Sequence, residues 1–128
     1  MLSQTAIAQD SVSSAELLQF HNAKIAGLQS QIESMNSAIS LMQSSTLTDE
    51  EQFELIAEPS FNAYDAVLES YGFTTLTFYQ FSDTYVSEID AWLLENQAVQ
   101  TQIATLESEY DGLVVILDQL NADQSVVE

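Results

Sequence analysis

The sequence predicts an all-α fold, an elongated up-down-up three-helix bundle with coiled-coil heptad packing. Three observations carry that reading. Only three glycines and one proline occur in 128 residues, too few for the many turns of a sandwich or barrel. Hydrophobic residues make up 46% of the chain, enough to drive a core despite the charge. Apolar residues also recur at heptad spacing through two long stretches, the pattern of helices packed along a seam.

Residues 1–13 are small and polar and read as a flexible N-terminal arm. A single helical domain is expected over residues 14–122, with a short C-terminal tail at 123–128. Ser13 or Ser14 suits an N-cap, with Glu16 in the first turn. The first helix then places Leu18, Ile25, Ile32 and Ile39 at a positions and His21, Leu28, Met35 and Met42 at d positions. Gly27 lies inside it and costs about 1 kcal/mol relative to Ala.

Thr48-Asp49-Glu50-Glu51 is a capping box that starts the second helix. Its apolar face includes Phe53, Ile56, Phe61, Tyr64, Leu68 and Tyr71. Pro59 removes one hydrogen bond and crowds the preceding turn, so a kink or short break is expected near Glu58. Gly72 suits the residue that follows a helix end.

Thr74 or Thr75 caps a third helix, read as continuous to about Asn121. Phe78, Tyr85, Trp92, Val99, Leu106, Leu113 and Leu120 hold its d positions in register. Asn96 falls at an a position and reads as a register device. The alternative is a break near Asn96 that folds the chain into a four-helix bundle.

At 1.5 Å per residue the three helices are about 45, 35 and 70 Å long. The third therefore overhangs its partners by its C-terminal part. That part carries Leu113, Val114, Ile116, Leu117 and Leu120, and an apolar patch of this size calls for cover. These five residues are the expected oligomer interface, with a second copy or another helical protein as partner.

The charge balance sets the exclusions. Twenty carboxylates face one cation, Lys24, for a formal net charge of −19. Nucleic acid is excluded as a partner because nothing neutralises phosphates. Charged residues are only 16% of the chain, so the surface is neutral-polar with few cations rather than a dense ionic coat. A single Lys and no Arg offer a trypsin-like protease one cleavage site. Ala6-Ile7-Ala8 resembles the small-residue end of a secretory signal peptide. Together these point to an extracellular or periplasmic location. No apolar run is long enough for a transmembrane helix. The absence of cysteine removes disulfides and thiolate chemistry. Protonating carboxylates relieves self-repulsion, so stability is expected to rise as pH falls from 7 towards about 4.

No catalytic, metal or cofactor site is assigned. His21 has no His or Cys partner at helical spacing and reads as a packed seam residue. Asp49, Glu50, Glu51, Glu54 and Glu58 suit divalent cations only weakly, since acids at a helix start favour the positive end of the dipole. One histidine, one lysine and no cysteine or arginine leave little for acid–base catalysis, and no enzyme is expected. The leading functional expectation is a non-enzymatic structural or protein-interaction protein that assembles through helix–helix contacts. The alternative is a helical-bundle binding module for a hydrophobic or cationic small ligand. Its pocket would be formed by Tyr64, Tyr71, Phe78, Tyr85 and Trp92.

Overall fold

A computed structural model describes residues 12–127, with side chains to residue 122. The expected N-terminal arm and the signal-peptide-like Ala6-Ile7-Ala8 lie almost wholly outside these residues. The described chain is all-helical. Its elements are α1 (Ser14–Ser44), α2 (Asp49–Gln52), a π-helical turn (Phe53–Ala57), α3 (Glu58–Ser70), α4 (Thr75–Thr84), α5 (Val86–Glu95) and α6 (Gln97–Val127).

Three capping boxes start the helices at positions where the sequence calls for them. The Ser13 hydroxyl accepts from the Glu16 amide while the Ser13 amide donates to the Glu16 carboxylate. Thr48 and Glu51 do the same for α2, and Thr74 with Thr77 for α4. Each satisfies two amides that the helix itself cannot. Gly72, at φ 88°, turns the chain between α3 and α4.

Near Glu58, where a kink or short break was expected, the helix is irregular but unbroken. The Pro59 ring would crowd the carbonyl four residues back, and this residue has no N–H to give. The chain answers with the π turn just ahead, where the Glu58 amide bonds the Phe53 carbonyl five residues back. Widening the helix by one residue absorbs the misfit without a loop.

α3 runs antiparallel to α1. Tyr64 sits against Gly27, and Leu68 joins the cluster of Leu17, Phe20 and Ala23. Ile56, earlier on the returning chain, faces Ser34 and Ala38, further along α1. Small residues on α1 allow this close approach. An added Cβ at Gly27 would lie 2.9 Å from Tyr64 Cε1.

The expected continuous third helix is corrected at two points. The backbone leaves helical geometry at Tyr85 (φ −113°, ψ 34°) and again at Asn96 (φ −128°, ψ 61°). Asn96 is therefore a breaker and not a register device within a seam. Its side-chain amide donates to the Trp92 carbonyl at 2.8 Å, and its own carbonyl accepts from the amides of Val99 and Gln100. It thus stops α5 and starts α6, satisfying groups orphaned at both ends. The helix also continues past Asn121 to Val127, where a tail was expected.

These breaks remove the overhang. α6 packs along α1 more extensively than any other pair of helices meets. Trp92, just before α6, stacks on His21, and Tyr110 lies beside Gln31 and Met35. α6 therefore runs in the same direction as α1. Leu113, Val114, Leu117 and Leu120, expected to project beyond the bundle, are half-buried in this arrangement, while Val115 and Ile116 are exposed. On α1, Leu18 is 48% exposed and does not belong to the seam that its a position predicted.

The aromatic layer at the start of α1 explains the bends. Phe20 is 2% exposed and stacks on Phe78 and Phe81, with ring centroids 4.8 and 4.9 Å apart. Phe73 meets the same three rings edge-on. A straight helix from Thr75 could not keep Phe78, Phe81, Tyr85 and Trp92 all against the end of α1. Turning at Tyr85 does so, and each aromatic pair adds about 0.5–1.5 kcal/mol beyond its burial.

Two predictions follow from these contacts. Gly27→Ala should lower stability by about 1 kcal/mol, because overpacking of about 1–3 kcal/mol outweighs the helix-propensity gain. In a Tyr64→Ala background the same change should stabilise, and urea denaturation of the four proteins reads the coupling. Asn96→Leu should cost about 1 kcal/mol by removing the amide that holds the break. It should also yield dimer at high concentration as α5 and α6 straighten into one helix. Light scattering that finds only monomer would show that the break does not need Asn96.

Candidate functional site

Two features combine polarity with burial. The first is a cleft of about 340 Å³ where five elements meet, the π-helical turn contributing Ile56 and Ala57. α1 contributes Gln31 and Met35, α3 contributes Phe61, Tyr64 and Asp65, α4 contributes Thr75 and Tyr79, and α6 contributes Tyr110. It exists because α3 and α6 each pack on α1 without packing extensively on one another. The gap between them lies over α1, and α4 closes one end.

Polar groups in the cleft are tied together. Tyr64 shares a side-chain hydrogen bond with Tyr79. Burial, reinforced by that bond and by the neighbouring Tyr79 and Asp65, holds the Tyr64 phenol well above its ordinary range, so it stays neutral and able to donate. The Thr75 hydroxyl donates to the Asp65 carboxylate across the α3–α4 turn. Phe61 and Tyr79 remain 64% and 52% exposed, so the apolar wall is open to solvent. The residues that line the cleft include no Lys, Arg or His.

Of the five pocket residues expected from the sequence, the structure brings only Tyr64 to this cleft. Phe78 is core, at 5% exposure. Tyr71, Tyr85 and Trp92 pack against the same cluster of Leu17, Phe20 and Leu68. They do not line this cleft. Tyr79 and Tyr110, absent from that expectation, line the cleft instead. Tyr110 was legible as the single aromatic at an a position of the third heptad run. Asp65 and Thr75 meet only through the turn at Gly72 and had no signal in spacing.

The second feature is His21. It is 1% exposed and stacked on Trp92, with centroids 4.2 Å apart and planes at 16°. Phe20 meets it edge-on at 5.2 Å. Nδ1 lies 2.7 Å from the Leu17 carbonyl, a distance that places the proton on Nδ1. Nε2 is then a bare acceptor, and it is buried with no hydrogen-bond partner. Burial holds the imidazole below its ordinary pKa of 6.5, although the Leu17 carbonyl opposes this, and Lys24 lowers it further. Among the described residues no group of three or more His, Cys, Asp or Glu could hold a metal ion. Nor is any helix long and apolar enough to cross a membrane.

The described residues form an all-helical protein with an aromatic recess between its helices that no cationic side chain lines. No protein-family model, curated protein or solved structure matches the chain.

The buried imidazole opposes the pH dependence that the net charge alone suggests. A base with a lowered folded-state pKa is protonated first in the unfolded chain. Its contribution is therefore complete above about pH 6.5 and is lost as pH falls below it. Wild-type protein should lose thermal stability relative to His21→Leu between pH 7 and pH 5 at fixed salt. Parallel melting curves in the two proteins would place any acid sensitivity elsewhere.

Proposed function

We propose that this chain is a non-enzymatic binding module that holds a small, largely apolar ligand in the tyrosine cleft. The carrying observation is that three tyrosines from three separate helices, Tyr64, Tyr79 and Tyr110, converge on one cavity beside Met35. Its volume of about 340 Å³ lies in the range of small-molecule pockets. Phenols and one carboxylate give orientation, and aromatic rings give contact area. The lining holds no His, Cys or Lys to serve as an activating base or strong nucleophile, which supports binding over catalysis.

Export remains part of this reading, supported by the single Lys and the absence of Arg. A second reading, assembly through helix–helix contacts in a homo-oligomer or with a helical partner, is supported by Val115 and Ile116. These are 56% and 42% exposed on α6. Leu113, Val114, Leu117 and Leu120 are half-buried within the chain, so the cleft carries the greater weight.

Methionine methyl NMR tests the cleft directly. Met35 lines it, whereas Met42 is buried at 5% exposure in the core. Titration with the neutral probe 4-phenyl-1-butanol should shift the Met35 methyl signal saturably and leave Met42 in place. Tyr110→Ala should weaken that response about tenfold, in line with the loss of one well-packed aromatic contact. No shift at Met35, or equal shifts at both methyls, would overturn the proposal.

A further inference from the structure

We infer that the ligand of this cleft is an organic cation, an ammonium head on an apolar body, with Asp65 as its counter-ion. The inference rests on the binding role proposed above and specifies its chemistry. Aromatic rings attract cations through the negative potential of their faces, more strongly as the site is drier. Tyr64, Tyr79, Tyr110 and Phe61 surround the cleft, and Asp65 stands among them with its carboxylate held by the Thr75 hydroxyl. That hydroxyl fixes where the negative charge sits. Gln31 adds an amide oxygen that can accept from an N–H donor.

The charge of the whole chain points the same way. Lys24 is its one basic residue beside His21, and neither lines the cleft. Any carboxylate or phosphate entering would meet Asp65 with nothing to neutralise it, inside a chain of formal net charge −19. A neutral ligand would leave Asp65 without a counter-ion. An ammonium ion satisfies the carboxylate and the rings together, while its hydrocarbon body covers Met35 and Ile56.

Three probes with one body and different heads separate these cases: 4-phenylbutylamine, 4-phenyl-1-butanol and 4-phenylbutyrate. Calorimetric titration at 0.15 M salt, where long-range attraction is screened, should show the amine binding at one site. It should bind about tenfold more tightly than the alcohol, with the carboxylate weakest. Asp65→Asn should remove most of that amine-over-alcohol preference. Asp90→Asn, which deletes an exposed carboxylate outside the cleft, should change neither. Amine and alcohol of equal affinity would overturn the cation assignment while leaving the cleft as a binding site. A preference unchanged by Asp65→Asn would also overturn it, showing attraction to the chain's overall charge. Failure of all three probes would remove both this inference and the binding role beneath it.

Discussion

The stacking of Phe20 between Phe78 and Phe81 is the contact on which the rest of the arrangement depends. It draws α4 across the start of α1, and Trp92 on His21 does the same for the end of α5. With both short helices held there, the chain leaves Asn96 beside the beginning of α1 and not beside its end. α6 then has only one course, alongside α1 and in the same direction. A layer of rings at one end of the molecule thus decides how its longest helices pair.

On the other side of α1 the controlling features are small. Gly27, Ala23 and Ala38 let α3 come close, and Tyr64 lies where a larger residue would stand. This close seat tilts space away from α6, and the cleft is what remains between the two. The same tyrosine therefore packs the α1–α3 contact and lines the recess. Its phenol lies beside that of Tyr79 and is not among the buried polar atoms left without a partner. His21 is the contrasting case, because Nε2 finds no donor. Its cost is borne by the stacking with Trp92 and the burial around it.

Much of the helical structure was legible because its signals are local. Ser13, Thr48 and Thr74 cap where spacing places them, and the third-helix d residues from Phe78 to Leu120 are all buried or half-buried. What periodicity could not show was direction. A heptad register survives the bends at Tyr85 and Asn96, so inward-facing residues are identified correctly while the axis turns beneath them. Asn96 looked like a polar seam residue because its type and position fit one. Its role as a breaker depends on Trp92 being anchored by His21, a contact remote in sequence. The cleft was partly legible for the same reason. Tyr64 shows on one amphipathic face, but its partners Tyr79 and Tyr110 come from helices whose placement depends on those bends.

The parallel pairing of α1 and α6 has a consequence for how the chain is made. The two helices are separated by nearly all of the sequence between them, so their contact is the most non-local in the molecule. During synthesis α1 emerges early and meets α3 soon afterwards, while the side that α6 will cover waits until α6 has followed. Helical proteins dominated by neighbouring pairs fold quickly; this one closes its largest interface last, against the full entropy of the intervening loop. A nascent chain still lacking α6 would expose that apolar flank.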